Sequence, residues 1–207
     1  VRGIDVALLY SPFTFKLLDS YAIRIEPMKG MKPTRDILYA KGLTITDDTL
    51  HVFLVHAPSR SGGEKETQPH RMCVADKLLE STDSVLAISP SARILIAGDF
   101  NDTEKDRSVK KIVEHGLVEL STQLHTANGA KGTYRFRGRW QNLDHIFGTR
   151  PMWDDWIGAE LGAFKFLLTE DKKYGGVQPR RNYIGMKYQN GYSDHLPLIV
   201  RFKIRGN

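Results

Sequence analysis

The amino-acid sequence predicts an α/β fold, and three observations support this. Short apolar or alternating runs typical of β-strands recur along the chain. One strong helical pattern lies between two of these runs. With 207 residues and 41% hydrophobic composition, the chain can bury a core, and its length fits one domain better than two. We therefore expect residues 1–207 to belong to a single domain.

The strand predictions rest on short runs in which apolar residues alternate or follow one another. They are Val6–Tyr10, Tyr21–Ile25, Ile37–Ala40, His51–Val55, Ile94–Ala97, Leu143–Phe147 and Leu198–Phe202. Asp47 and Asp48 separate two of these runs, and short acidic side chains tolerate turn geometry. This predicts a hairpin that brings the Asp36 end of one strand near the His56 end of the next.

Two helices are predicted. The longer one runs from about Pro69 to Ile88 and is closed by Pro90. Its apolar face is formed by residues at helical spacing, namely Met72, Ala75, Leu78 and Leu79. The shorter one spans Ser108–His115, with Gly116 as its C-terminal cap. Residues 57–68 and 150–191 are predicted to be long loops, which in compact domains are usually functional or mobile.

The net charge of +6 and the pI of about 9.4 favour polyanionic partners, although a solvated cationic face would give the same values. A single cysteine, Cys73, excludes an internal disulfide. No apolar run approaches the ~18 residues that span a bilayer, so no stable membrane insertion is expected. The sequence gives no indication of the oligomeric state.

Two motifs carry residues suited to hydrolysis. In "ILIAGDFND" an apolar strand leads into Asp99 and Asn101, which alternation points toward one cleft. An aspartate can activate water, and an asparagine amide can donate to a phosphate oxygen. In "YSDHLPLIV", Asp194 offers a hard ligand for Mg²⁺ or Ca²⁺, and His195 can exchange protons at neutral pH. Either motif could also be only a turn that caps backbone groups.

Two further motifs could complete the same site. In "VHAPSRSGG", His56 ends a strand and Arg60 follows in a Gly-rich loop, where it could contact a phosphate. In "WQNLDHIF", Asp144 lies inside a strand and would be costly to bury without a partner, which makes it a natural companion for a histidine. His145 points to the opposite face and is interpreted as structural.

Cations stand beside aromatic residues in "FRGRW" and "PRRNY". Arg139 and Trp140 of the first motif are candidate substrate-binding residues, because such pairs suit phosphate together with a base or a lipid headgroup. Ordinary packing of cations on aromatic rings would produce the same pattern.

The order and spacing of these motifs resemble the endonuclease/exonuclease/phosphatase superfamily, in particular its deoxyribonuclease I-like branch. "GDFN" and "SDH" are the most specific of the matching motifs, and the resemblance runs from Arg2 to Phe202. It implies a four-layered α/β/β/α sandwich with the active site where the two sheets meet. Function rests on the motifs and not on the fold.

The resemblance implies a role for each matching residue. Asp99 resembles the aspartate that activates water or handles the leaving group, and Asn101 the asparagine that binds phosphate. Asp194 resembles a metal ligand. His195 resembles the histidine that contacts the scissile phosphate, and Asp144 the carboxylate that orients it.

His56 resembles the second histidine of the deoxyribonuclease I branch. There an acid in an "Arg-Glu" strand orients this histidine, and in "TRDILYA" the shorter Asp36 takes that place. The family's N-terminal strand ending in Asn or Asp and its strand with the metal-binding Glu have no match. We therefore expect the native N-terminus to precede Val1 and the metal site of this chain to be incomplete, with weak Mg²⁺ binding as the result.

The resemblance implies a divalent-metal-dependent phosphoesterase in which water attacks phosphorus and the metal stabilises the added charge. The expected cofactor is Mg²⁺, with Mn²⁺ or Ca²⁺ as alternatives. The expected substrate is nucleic acid or another phosphodiester. A phosphatase or phosphodiesterase for small molecules or lipid headgroups, and a non-catalytic scaffold, are the competing functions. The resemblance also favours a secreted or periplasmic location.

Overall fold

The computed structural model describes residues 6–30, 33–122 and 124–203. Two sequence-based expectations fall outside the described residues. They are the native N-terminus, which was expected to precede Val1, and the start of the family resemblance at Arg2. The helices are α1 (Glu64–Ile88), α2 (Arg107–Glu114) and α3 (Arg150–Asp155), and Lys165–Leu167 forms a 3₁₀ turn.

Strands make up much of the remaining described chain, which confirms the predicted α/β class. In chain order they are β1 (Phe15–Ile23), β2 (Ile37–Thr44), β3 (Thr49–His56), β4 (Arg93–Asp99), β5 (Val118–Glu119), β6 (Tyr134–Phe136), β7 (Arg139–Gln141), β8 (Asp144–Gly148), β9 (Trp156–Leu161), β10 (Leu168–Glu170), β11 (Val177–Pro179), β12 (Tyr183–Ile184), β13 (Lys187–Tyr188) and β14 (Leu198–Phe202).

A mixed sheet, called here the main sheet, has the strand order β1-β2-β3-β4-β8-β5. β1, β2 and β3 are antiparallel neighbours, and the turn between β2 and β3 contains Asp47 with a φ of 58°. The predicted hairpin is therefore confirmed. β3 and β4 run parallel. Parallel neighbours need a long crossover connection, which α1 supplies.

Helix α1 covers one face of the main sheet. Its buried residues recur every three or four positions, as one helical face requires: His70, Arg71, Val74, Ala75, Leu78, Leu79 and Thr82. The helix begins at Glu64 and not at about Pro69 as predicted. Pro69 lies inside the helix, and because proline has no backbone N–H, one helical hydrogen bond is missing there. Among the described residues, no helix has the length and apolar character needed to cross a membrane.

Alternation along β4 builds two different faces. Ile94 and Ile96 are fully buried on the side of the helices. Leu95 and Ala97 pack instead against residues of a second, two-stranded sheet formed by β9 and β14. The described chain thus forms a helical layer, the main sheet and a second sheet. Asp99 continues the Leu95–Ala97 side of β4, so it faces the space between the two sheets.

Gly98, just before Asp99, lies where β4 passes close to β3. A Cβ atom on this residue would stand 1.9 Å from the carbonyl oxygen of Val55. Its φ of 154° also belongs to the range that favours glycine. Only glycine fits at this position.

Two predictions about local structure were wrong. Val6–Tyr10 is irregular and not a strand, and Leu9 within it is 91% exposed. Apolar composition alone does not determine a strand. The predicted loop 150–191 contains α3 and the short strands β9 to β13. Most of these strands have only two or three residues, which is too short for alternation to be recognised.

Candidate active site

Three neighbouring strands place one polar residue each at the same level of the main sheet. His56 of β3 pairs with Asp99 of β4, and Asp99 pairs with Asp144 of β8. Directly paired residues project from the same face of a sheet, so the three side chains stand in a row facing the second sheet. Nε2 of His56 lies 3.5 Å from Oδ2 of Asp99. We call His56, Asp99 and Asp144 the polar rung.

His195 joins the polar rung from the segment just before β14. Its Nδ1 lies 2.7 Å from Oδ2 of Asp144, and its Nε2 lies 4.0 Å from Oδ2 of Asp99. The ring of Tyr134 packs on the imidazole with a centroid distance of 4.8 Å. The structure thus brings His56, Asp99, Asp144 and His195 together at one place.

Asp99 occupies the middle of the polar rung, and only 17% of its side chain is exposed. Burial is the main cause that raises the pKa of Asp99 to about 6, and the negative charge of Asp144 acts in the same direction. The positive charge of His195 and a hydrogen bond from the backbone of Asn101 oppose this shift. A carboxyl group with this pKa can exchange protons near neutral pH.

The two histidines have pKa values shifted in opposite directions. Burial lowers the pKa of His56, and the positive charges of neighbouring groups, His195 among them, add to the effect. Burial also opposes protonation of His195, but the hydrogen bond and charge of Asp144, together with the charges of Asp99 and Asp194, outweigh it and raise the pKa. The two imidazoles that flank Asp99 therefore differ in proton affinity, a difference that acid–base catalysis can use.

Asn101 holds the carboxylate of Asp99. Its φ of 52° is left-handed, a conformation that asparagine tolerates better than most residues. The backbone N–H donates to Oδ1 of Asp99 at 2.8 Å. The side-chain amide donates to Oδ2 of Asp99 at 3.1 Å and to the carbonyl oxygen of Ala57 at 3.0 Å. Asn101 thus lies at the site, and its contact with a phosphate stays a prediction.

A model described as the Endonuclease/Exonuclease/phosphatase family matches residues 1–204. The chain belongs to this family. Its members are generally hydrolases that act on phosphoester bonds. A search of curated proteins found no significant match.

Solved structures share the fold of this family member. A functionally unknown conserved protein from Enterococcus faecalis V583 matches with a TM-score of 0.63 at 17% identity, over 94% of this chain and 69% of that one. The mannosyl-6-phosphatase Bt3783 of Bacteroides thetaiotaomicron VPI-5482 matches with a TM-score of 0.61 at 17% identity, over 92% of this chain and 68% of that one. D. rerio TDP2 complexed with a single-strand DNA product matches with a TM-score of 0.59 at 16% identity, over 92% of this chain and 69% of that one. The chain spans about two thirds of the length of these proteins. The likeness confirms the predicted deoxyribonuclease I-like α/β fold.

The acid expected from the family's "Arg-Glu" motif does not pair with His56. Oδ1 of Asp36 instead accepts a hydrogen bond from the backbone N–H of Ile25 at 3.0 Å. The aspartate side chain is one methylene shorter than glutamate and is used to hold a neighbouring segment. Arg35, which the sequence analysis did not single out, lies close enough for its charge to lower the pKa of His56.

Arg60 was predicted to contact a phosphate, but the structure turns its guanidinium toward the protein. Nε donates to the carbonyl oxygen of Asn101 at 2.6 Å, and Nη2 donates to Oδ2 of Asp106 at 2.8 Å. Oδ1 of Asp102 lies 3.6 Å from the same Nη2. Acidic residues follow "GDFN" closely, so this arginine anchors the loop after β4 and does not reach into open space.

The hairpin of β6 and β7 contributes Tyr134 to the candidate site, whereas Arg139 and Trp140 were the residues predicted there. Trp140 packs against the apolar cluster that contains Leu196, and Arg135 lies 5.6 Å from its ring centroid, so this motif is mostly cation–aromatic packing. Arg139 is exposed, and its contact with substrate stays a prediction. The side chain that reaches the site is Tyr134. No sequence signal pointed to it, because it is a single tyrosine in a three-residue strand.

A buried ion pair supports the loop after β4. The side chains of Asp102 and Arg71 are both 0% exposed. Asp102 accepts hydrogen bonds from Nε of Arg71 and from Oγ of Ser108, each at 2.6 Å. Arg71 also donates to Oγ1 of Thr67 and to the carbonyl oxygen of Glu64. This network ties helices α1 and α2 to the segment that carries Asp99.

His145 lies on the helix side of β8 and is structural, as predicted. Its Nδ1 contacts Oε1 of Glu119 at 2.7 Å, and its Nε2 contacts the carbonyl oxygen of Asp102 at 2.9 Å. Both partners are acceptors, so only the protonated ring satisfies both. Burial opposes protonation, but the hydrogen bond and charge of Glu119 outweigh it and raise the pKa of His145.

The raised pKa of His145 predicts how stability depends on pH. A group whose pKa is higher in the folded state stabilises the fold below its unfolded pKa, about 6.5, and loses this effect as pH rises through the folded pKa. His145→Gln should therefore lower the free energy of unfolding by about 1–3 kcal/mol near pH 5.5 and by less near pH 8.5. Urea denaturation at the two pH values measures the difference. An equal loss at both would contradict the charged assignment.

The donor groups at the site suit a hard divalent cation in part. Suitable ligand atoms of Asp99, Asp144 and His195 lie within 4.8 Å of one another. Asp194, the predicted metal ligand, is exposed, and its charge acts on Asp99 and both site histidines. Carboxylates that repel one another are stabilised by a bound cation. The candidate ligand atoms are mainly oxygens, which is the ligand type that hard divalent cations prefer.

Proposed function

We propose that this protein is a divalent-metal-dependent phosphodiesterase, a nuclease or a related enzyme, that cleaves a P–O bond by attack of water. The observation that carries the proposal is the position of His195, 2.7 Å from Asp144 and 4.0 Å from Asp99, with His56 on the other side of Asp99. This arrangement supplies a proton donor and proton acceptors around one small space.

In the proposed reaction, Asp144 fixes the ring of His195 through Nδ1, so Nε2 presents its hydrogen to the space beside Asp99. A phosphate oxygen that accepts this hydrogen would share the charge of the imidazolium as negative charge grows on phosphorus. Asp99 and the neutral His56 are the groups able to take a proton from the attacking water. A cation held by Asp194 would supply further positive charge for the same oxygens.

The test is a comparison of simple esters. We expect the full-length protein to hydrolyse bis-p-nitrophenyl phosphate in the presence of Mg²⁺ or Mn²⁺, faster than the monoester p-nitrophenyl phosphate. Addition of a chelator should abolish the release of p-nitrophenol, because the protein supplies too little positive charge of its own.

Three other outcomes would redirect the assignment. Preference for the monoester would favour a small-molecule phosphatase. Hydrolysis that persists in chelator would contradict the metal requirement. Lack of hydrolysis with every metal and both esters would favour the non-catalytic scaffold.

A further inference from the structure

A short stretch after β9 concentrates positive charge and exposed rings. Residues 164–192 contain six lysines and arginines against two acids, Glu170 and Asp171, in a chain whose net charge is +6. Asp171 is buried and faces Arg135 at 3.6 Å, so it offers little negative surface. Large apolar side chains of this stretch lie open to solvent, among them Phe166, Tyr183, Ile184, Met186, Tyr188 and Tyr192. Exposed clusters of this kind usually mark a binding surface.

The hairpin of β12 and β13 is the most exposed part of this stretch. Tyr183 is paired with Tyr188, and Ile184 with Lys187. Paired residues share a face, so the two tyrosines form one aromatic face of the hairpin. Their ring centroids are 5.4 Å apart, and the residues are 55% and 57% exposed. We call Tyr183 and Tyr188 the tyrosine face.

One end of this hairpin lies near His195, and contacts between its two flanking segments hold the other end beside it. At one end, the guanidinium of Arg181 lies 5.3 Å from the ring centroid of Tyr134, whose ring packs on His195. At the other end, Tyr192 donates its backbone N–H to the carbonyl oxygen of Arg180 at 2.7 Å. The Arg180 guanidinium lies 5.6 Å from the ring centroid of Tyr192. Tyr183 follows Arg181 by two residues, which limits their Cα separation to about 7 Å.

We propose that the tyrosine face, with Arg180 and Arg181, binds single-stranded nucleic acid beside the scissile phosphate. The inference rests on the proposed phosphodiesterase function, because the strand would continue from the phosphate at His195 toward the hairpin. Unpaired bases stack on exposed aromatic rings, and arginines neutralise the phosphates between them.

A base-paired duplex fits this surface less well, because its bases stack on one another and offer no free face to the tyrosines. A lipid surface also fits less well. The aliphatic Ile184 is paired with the charged Lys187, so the hairpin face opposite the two tyrosines is not apolar throughout. The observations therefore favour unpaired nucleotides as the ligand.

The experiment measures fluorescence anisotropy of a labelled oligothymidylate in chelator, so that binding is read without cleavage. The double variant Tyr183→Ala/Tyr188→Ala should bind about tenfold or more weakly than the unmodified protein, and binding should weaken as salt rises. Tyr183→Phe/Tyr188→Phe keeps both rings and should bind normally. Tyr21→Ala is the matched control, because Tyr21 is 52% exposed on β1 at an edge of the main sheet.

Each outcome bears on the inference. Equal affinity of the double alanine variant and the unmodified protein would overturn it, as would preference for duplex DNA. Association with vesicles of phosphatidylcholine and phosphatidylserine without binding of the oligonucleotide would assign the surface to lipid. Failure of the unmodified protein to hydrolyse bis-p-nitrophenyl phosphate would count against the proposed function alone, because anisotropy reads the tyrosine face independently.

Discussion

Replacing His195 by alanine is expected to lower the rate of phosphodiester hydrolysis by about 10²- to 10⁴-fold, the usual contribution of a positioned acid or base. The variant removes the imidazole that Asp144 holds at 2.7 Å, and takes away the His195 charge that opposes the raised pKa of Asp99. The measurement is kcat with bis-p-nitrophenyl phosphate at saturating Mg²⁺ and neutral pH. Near-UV circular dichroism checks that the fold is kept.

His115→Ala is the matched control for this prediction. His115 is also paired with a carboxylate, Asp83 at 2.8 Å, but it lies exposed at the end of α2. Its loss should leave kcat nearly unchanged. The kcat of Asp144→Asn should lie between those of His195→Ala and His115→Ala, because His195 stays present but loses the negative charge that favours its protonated form. If His195→Ala kept activity within a few-fold of the unmodified protein, the assignment of the acid would be wrong.

The largest effect on stability is expected from Asp102→Ala. This change leaves the guanidinium of Arg71 buried without its carboxylate and removes the acceptor of Ser108. Breaking one partner of a buried ion pair usually costs about 3–5 kcal/mol, because the remaining charge is uncompensated. We expect a loss of this size in the free energy of unfolding, measured by urea denaturation.

Asp76→Ala provides the comparison on the surface. Asp76 also pairs with a cation, Lys111, but both side chains are about half exposed. Exposed pairs contribute about 0–1 kcal/mol, so this variant should unfold close to the unmodified protein. Similar losses in the two variants would show that Arg71 finds another partner when Asp102 is absent.

The main strands and the polar rung were predictable because each carries a local signal. "ILIAGDFND" gives both a buried strand and the acid at its end, and parallel pairing of β3 with β4 then places His56 beside Asp99. The conjunction of these motifs was also enough to predict the family. Local pattern and family resemblance therefore agreed on the same four residues of the site.

The surroundings that the sequence analysis did not foresee depend on contacts between distant segments. Arg60 looked free to bind phosphate because its partners Asp102 and Asp106 lie far along the chain. The packing of Trp140 was not predictable because the apolar cluster it joins is formed by other segments. Tyr134 carries no motif, and its importance comes only from the ring of His195 that packs on it.

The pairing of β3, β4 and β8 also governs when the site comes into existence during synthesis. His56 and Asp99 are separated by the whole of α1, and Asp144 and His195 follow much later in the chain. A nascent chain that has emerged only as far as β4 can form the parallel pair but lacks the partner that orients an imidazole. The four side chains of the site can therefore come together only after β8 and the segment before β14 have been synthesised.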